Sequence, residues 1–302
     1  MRADIQKCID SISKVILGKE AEIELALICL LARGHLLLED LPGMGKTTLS
    51  QSLSQVLGMQ YSRVQFTSDL LPADLLGFNI YEQSKEQFKF HPGPVFSQVV
   101  LADEINRASP KTQSALLEAM AERQVTIDGT TRPLPDPFFV IATQNPLNQS
   151  GTHPLPESQL DRFNMQLSIG FPDFESEKSL LMNGNTEHKL QTVIDTDALK
   201  LLQQEVRSIS VSESVLEYIL HLVNHTRKSK EFPNPLSPRA SKALLNTAKA
   251  AAFVNGRAFV IPEDVQLILP GVCEHRLRGS THIKSSHSYS EYLLQQVDPL
   301  AA

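Results

Sequence analysis

Eight consecutive residues, Asp40-Leu41-Pro42-Gly43-Met44-Gly45-Lys46-Thr47, carry the clearest chemical signal in the chain, and Thr48 follows directly. Phosphates are polyanions, so a site for them needs backbone N–H donors and fixed positive charge. Gly43 and Gly45 permit the main chain to wrap a phosphate, Lys46 can reach the β and γ phosphates, and Thr47 offers a hydroxyl to Mg²⁺. The general pattern has glycine where this chain has Asp40. A Gly-x-Gly-Lys-Thr string also arises by accident in surface loops, so its flanks decide. His35 to Leu38 is a short apolar run that reads as a buried strand leading in. The helix leading out has Leu49, Leu53, Val56 and Leu57 on one face and ends at Gly58. Strand, glycine loop and helix together predict an ATP-binding and ATP-hydrolysing phosphate loop.

Val99-Val100-Leu101-Ala102-Asp103-Glu104 is the second element. An apolar strand ending in two carboxylates suits a parallel sheet, whose ligands bind at the carboxyl ends of its strands. Asp103 is expected to hold the hydration shell of Mg²⁺, and Glu104 to polarise the attacking water. A strand ending in Asp-Glu is by itself commonplace; some sixty residues after a phosphate loop it gains meaning. Ala142-Thr143-Gln144-Asn145 closes a third strand, where the neutral amide of Asn145 suits the positioning of that water. The alternative for Asn145 is a turn former before Pro146.

These groups need a scaffold, and 302 residues suffice for one large domain or two. The hydrophobic fraction of 41% and net charge of -6 are those of an ordinary soluble protein, with no basic excess to advertise nucleic acid. Cys8, Cys29 and Cys273 share no short spacing, which argues for buried thiols in a reducing compartment rather than a zinc site or disulfides. No apolar run reaches membrane-spanning length, and Asp4 and Lys7 interrupt any signal-peptide core, so a cytoplasmic location is expected.

Residues 2–33 read as two helices joined by Val15-Ile16-Leu17-Gly18. Further strands are expected at Tyr61–Phe66, Gln98–Ala102 and Phe138–Ala142, the last two separated by a helix with Ser109 as N-cap and Pro110 in its first turn. Short apolar strands alternating with helices imply a parallel sheet covered on both faces. Two period-two segments interrupt this rhythm. Phe78-Asn79-Ile80 and Phe88-Lys89-Phe90 read as one hairpin, and Gln124–Leu134, turning at Asp128-Gly129, as another. Beyond Asp173 the expectation is helical: Glu175–Asn183, Thr196–Ser208, Glu213–Lys228, Ser237–Asn255 and Pro262–Glu274. The boundaries predicted are 1–172 for an α/β nucleotide-binding domain and 173–302 for a smaller all-α domain. Gly279–Ser290 reads as a loop, and His282 and His287 in it support no metal site.

In order and spacing the three chemical elements resemble the AAA+ superfamily, and longer strings narrow the resemblance to the MoxR family over nearly the whole chain. Those strings are Gln65-Phe66-Thr67-Ser68-Asp69-Leu70-Leu71-Pro72, Gly93-Pro94-Val95-Phe96, Asp103-Glu104-Ile105-Asn106-Arg107-Ala108, Ala142-Thr143-Gln144-Asn145-Pro146 and Leu155-Pro156-Glu157-Ser158-Gln159-Leu160-Asp161-Arg162-Phe163. The resemblance implies an α/β P-loop fold, a parallel sheet sandwiched by helices and followed by an all-α lid. It implies that Arg162 is an arginine finger reaching a neighbouring subunit, Asn145 the first sensor, Arg239 the second sensor, and Arg107 a further interface arginine. Ile16, Leu17 and Gly18 would line the adenine pocket. The hairpins would be a helix-2 insert at Phe78–Phe90 and a pre-sensor-1 hairpin at Gln124–Leu134, both facing a ring's pore. The family also implies a homo-oligomeric ring, expected as a hexamer, that matures or activates other protein complexes, often with a von Willebrand factor A domain partner.

Three functions compete for these residues. The leading one is an ATP-driven protein remodeller. A nucleic-acid motor is the second, because minichromosome-maintenance helicases share the hairpins; here the tip Thr126–Thr131 carries an acid and no Lys or Arg, and no nucleic acid is expected. A non-hydrolysing nucleotide-gated scaffold is the third, and the presence of Glu104, Asn145, Arg162 and Arg239 argues against it.

Overall fold

The computed structural model describes residues 2–145, 151–183, 190–278 and 288–299. The chain opens with α1 (Arg2–Ser13), α2 (Glu20–Leu31), β1 (Leu36–Glu39), α3 (Lys46–Val56) and β2 (Tyr61–Gln65). A short α4 (Pro72–Leu76) precedes the hairpin of β3 (Gly77–Glu82) and β4 (Gln87–Pro92), followed by β5 (Val99–Asp103) and α5 (Pro110–Glu122). The second hairpin, β6 (Gln124–Ile127) and β7 (Thr130–Pro133), leads to β8 (Phe139–Gln144), α6 (Glu157–Leu160) and β9 (Met165–Leu167). The remainder is helical: α7 (Phe174–Asn183), α8 (Thr196–Ser208), α9 (Glu213–Lys228), α10 (Pro238–Val254), α11 (Pro262–Arg278) and α12 (Tyr289–Gln296).

The five-stranded sheet runs β2-β5-β8-β1-β9, parallel throughout. Its apolar strands are buried on both faces, and their period of two sorts the side chains. Leu36, Leu38, Val99, Leu101, Phe139 and Ile141 join one apolar cluster with α1, α2 and α3. Leu37, Val100, Ala102, Val140 and Ala142 join the other, with Leu75 of α4 and Leu116 and Leu117 of α5. The first cluster continues into the helical part. Leu199, Leu202 and Val206 of α8 and Ala243, Leu244 and Ala248 of α10 pack with Leu27, Leu30 and Leu31 of α2. Cys8, Cys29 and Cys273 are buried in that cluster as free thiols, and burial pushes each up to about 12.

Register fixes the site. Glu39 pairs with Gln144 and Gln65 with Asp103, so the carboxyl ends of β2, β5, β8 and β1 lie along one edge. Ser109 caps α5 by accepting from Thr112 N at 3.3 Å, as its position before Pro110 predicts. Both hairpins are present; Asp128 (φ 49°) and Gly129 (φ 75°) form the second turn. They touch each other through Asn79 Nδ2, which donates to Asp128 Oδ2 at 2.6 Å, and through Arg132, whose guanidinium lies 4.0 Å above the Phe90 ring.

Sequence patterning missed several elements. The three residues of β9 and the short α4 and α6 are too brief for periodicity to reveal. α11 runs on to Arg278 past the expected Glu274, because Leu277 is buried and Gly271 lets the helix close on β9. A Cβ at Gly271 would meet Met165 Cε at 2.7 Å. Ser288, expected in a loop, instead caps α12. Pro146, His282 and His287 lie outside the described residues. Among the described residues no helix is long and apolar enough to cross a membrane.

Candidate nucleotide site and a basic basin

The glycine-bearing loop 40–45 joins β1 to α3. Gly43 (φ 86°) and Gly45 (φ 80°) adopt the left-handed conformation, and a Cβ at either would meet open space. Glycine is therefore required by backbone conformation and not by crowding. Pro42, Gly43, Gly45, Lys46, Thr47 and Thr48 line a cleft of about 620 Å³. Across it stand Asp103 at the end of β5 with Glu104 and Arg107 after it, Thr143 of β8 with Asn145 just past that strand, and Arg63, Gln65 and Thr67 from β2 and the residues after it. The loop and the paired carboxylates that the sequence places sixty residues apart thus face one another.

Lys46 Nζ donates to the Asp40 carbonyl at 2.6 Å. Partial burial lowers the Lys46 pKa, and the nearby Asp40, Asp103, Glu104 and Glu39 carboxylates oppose that shift. Asp103 accepts from Thr143 Oγ1 at 2.6 Å and pairs with Arg63 at 2.7 Å. The same Thr143 hydroxyl accepts from Glu104 N at 2.8 Å, holding Glu104 in a left-handed turn (φ 55°) just past the strand. Glu104 Oε2 accepts from Gln65 Nε2 at 2.9 Å and lies 3.2 Å from Arg107 Nε. One hydroxyl therefore sets both carboxylates. The adjoining Glu39 is tied to Arg278 of α11 at 2.6 Å, and it accepts from Gln144 and Gln166.

Other predicted residues stand elsewhere. The Asp40 carboxylate, 6% exposed, accepts from Ser168 Oγ (2.7 Å), Ile169 N (2.5 Å) and Gly170 N (3.2 Å). An acid thus occupies the first position of the loop because it clamps the segment leaving β9, while only its carbonyl serves Lys46. Asp40, Leu41, Met44, Ile16, Leu17 and Gly18 are absent from the lining of the cleft. Gly18 (φ 68°) abuts the start of α7, where a Cβ would meet Asp173 Oδ2 at 2.5 Å. Arg107, expected at a subunit interface, lies against its own chain's Glu104.

Arg162 and Arg239 line a separate basin of about 270 Å³ that shares no residue with the cleft. Asp161 organises it. Its carboxylate pairs with Arg276 of α11 at 2.8 Å and accepts from Ser237 Oγ at 2.9 Å, and Arg239 lies 3.8 Å away. Ser237 also caps α10. Arg162 donates to the Leu117 carbonyl at 2.9 Å. Sequence reasoning gave no role to Arg63, Gln65, Thr143 or Arg276. Polar residues ending strands next to β5 were the available signal for the first three; their use depends on register.

Residues 35–165 match the ATPase family associated with various cellular activities (AAA), and residues 224–291 match the AAA lid domain. YeaC of Bacillus subtilis, an uncharacterised protein, is 44% identical over 96% of this chain and 92% of its own. Chaperone MoxR1 of Mycobacterium tuberculosis is 40% identical over 90% of this chain and 75% of its own. A solved structure from Cytophaga hutchinsonii, described as a candidate ATPase, superposes with a TM-score of 0.89 at 39% identity, covering 98% of this chain and 95% of that one.

Proposed function

This chain belongs to the MoxR family of AAA ATPases, and on that premise we propose that it hydrolyses ATP in the cleft at the carboxyl edge of β1, β5 and β8. The observation that carries the reading is the single cleft lined by Lys46, Thr47, Asp103, Glu104 and Asn145. Its donor set fits a magnesium-bound triphosphate: glycine amides and an ammonium for phosphate, with a hydroxyl and a water-binding carboxylate for the metal. Thr47 and Asp103 would hold the magnesium, which supplies charge neutralisation at the phosphates.

Lys46 leaves the Asp40 carbonyl to take a phosphate oxygen. Glu104 receives a proton from the attacking water, Asn145 orients that water, and Gln65 and Arg107 hold the Glu104 carboxylate in place. Ile16–Gly18, beside the start of α7, form one side of the adenine pocket. Residues 1–172 form the motor body and residues 173–302 the lid.

That Arg162 and Arg239 line one basin apart from the cleft supports a reading in which Arg162, with Arg239 beside it, serves the nucleotide of a neighbouring subunit in a ring, taken to be a hexamer. The work is remodelling of partner protein complexes in the cytoplasm, in the manner that the name of chaperone MoxR1 indicates, with a von Willebrand factor A domain protein as partner.

Calorimetry and a phosphate-release assay test the site together. Lys46→Ala should lose adenine-nucleotide affinity. Glu104→Gln should bind ATP like wild type while hydrolysis falls roughly 10²–10⁴-fold, the usual contribution of a general base. Wild-type turnover by Glu104→Gln would remove Glu104 from the reaction.

A further inference from the structure

The basin holds far more positive charge than Arg162 and Arg239 account for. Eight of its sixteen lining residues are Lys or Arg and one, Asp161, is acidic, in a chain whose net charge is -6. Asp161 is already shared by Arg276, Ser237 and Arg239, all toward the start of α10. Arg239, Lys242, Asn246 and Lys249 succeed one another on one face of α10. With a rise of 1.5 Å per residue, Lys249 stands about 15 Å along the helix from Arg239. A terminal phosphate met by Arg162 and Arg239 is therefore out of reach of the far end.

That far end is built from Lys249, Arg207, Arg123 and Arg33. Lys249 Nζ donates to the Arg207 carbonyl at 3.0 Å, near the end of α8, and Arg123 Nη2 donates to the Arg33 carbonyl at 3.3 Å. Asp136, 2.5 Å from Arg33, offsets part of the charge. Desolvation first, then the charges of Arg33 and Arg207, lower the Arg123 pKa, so these groups crowd within electrostatic range. The backbone adds an independent observation. Arg33 (φ 58°), just past α2, and Arg123 (φ 53°), the C-cap of α5, both adopt the left-handed conformation that glycine enters most readily and a residue with a Cβ less often. At both helix ends around one basin an arginine stands where glycine would fit the backbone with less strain.

We propose that the Arg33–Arg123–Arg207–Lys249 end of the basin is a second anion site, which takes a compact multivalent phosphate such as a polyphosphate or the phosphate chain of a free nucleotide. Guanidinium forks suit phosphate oxygens, and a basin of about 270 Å³ suits a small anion better than a peptide segment. The ligand would touch the root of the second hairpin, because Arg123 directly precedes β6 and its carbonyl accepts from Leu134 N at 2.9 Å. The site needs none of the roles proposed for Arg162 and Arg239 in hydrolysis.

Inorganic tripolyphosphate, titrated calorimetrically into full-length Lys46→Ala protein, tests the site with the phosphate loop disabled. Saturable binding is expected, weakened about tenfold or more by Arg207→Gln with Lys249→Gln, as lost charge-assisted hydrogen bonds should do. Arg162→Ala should change it less than about twofold. Arg123→Gly is the decisive variant: it relieves the left-handed backbone, so its unfolding midpoint should equal or exceed that of its parent while tripolyphosphate affinity falls. Absent binding, loss of binding only through Arg162 or Arg239, or capture of a poly-glutamate peptide in place of tripolyphosphate would each overturn the site. None of these results alters ATP turnover by the wild-type cleft, which is measured separately.

Discussion

Asp161 is the joint at which the arginine-bearing segment meets α10 and α11, and its removal has a calculable cost. Arg276 is 5% exposed and Asp161 19%, so the pair is largely removed from water. The Arg276 guanidinium also donates to the carbonyls of Phe163 (2.7 Å), Asn164 (3.1 Å) and Asp161 itself (3.2 Å). Those dipoles satisfy hydrogen bonds but do not cancel a charge. Asp161→Ala strands a buried cation, which typically costs 3–5 kcal/mol. The surviving carbonyl contacts place this case near the lower end, about 3 kcal/mol. The Arg239 contact adds little, being 3.8 Å long with Arg239 53% exposed. Urea unfolding should show the midpoint fall with an unchanged slope, and melting should drop by roughly 6–12 °C. Arg276→Met combined with Asp161→Ala should recover part of the loss. If Asp161→Ala unfolds within about 1 kcal/mol of wild type, the pair is not the clamp described.

Thr143→Val keeps the shape of the side chain but removes the hydroxyl that serves both Asp103 and Glu104; turnover should fall at least about tenfold with a higher magnesium requirement, and unchanged magnesium dependence would contradict this. Gly45→Ala imposes a Cβ at φ 80°; calorimetry should show weaker ATP binding, and wild-type affinity would refute the conformational demand. His35 accepts from Val140 N through Nδ1 and donates through Nε2 to the Met120 carbonyl, and burial, with Arg123 adding to it, lowers its pKa from 6.5 to about 4. The unfolded chain takes up that proton first, so this stabilisation is complete above pH 6.5 and erodes as pH falls toward 4, by about 2 kcal/mol at pH 5. His275, also lowered by burial, adds in the same direction. Urea midpoints at pH 7 and 5 for wild type and His35→Gln check this, and equal pH slopes would dismiss His35 as a contributor.

What the sequence revealed was local chemistry. A loop that must wrap phosphate needs glycine and lysine at fixed spacing, and a covered parallel strand needs an apolar run, so Gly43–Thr47 and Val99–Glu104 were legible. The partners of the carboxylates were not, because Arg63 and Gln65 reach Asp103 and Glu104 only through the register of β2 against β5. Asp40 looked like a departure from the phosphate-loop pattern until β9, itself too short to predict, showed what it clamps. The basin was least legible. Its cations come from the ends of α2, α5 and α8, from the residues after α6, and from α10 and α11, where no spacing in sequence marks them as neighbours.

The most direct test of the central claim, that each active site joins the cleft of one subunit to the basin of the next, is a mixing experiment. Glu104→Gln and Arg162→Ala proteins should each be nearly inactive alone, as loss of the base or of an arginine supplied in trans predicts. Mixed in equal amounts and allowed to exchange subunits, they should regain about a quarter of the wild-type rate, since one junction in four pairs an intact cleft with an intact finger. A mixture that stays inactive despite proven exchange of subunits would show that Arg162 does not serve its neighbour's nucleotide.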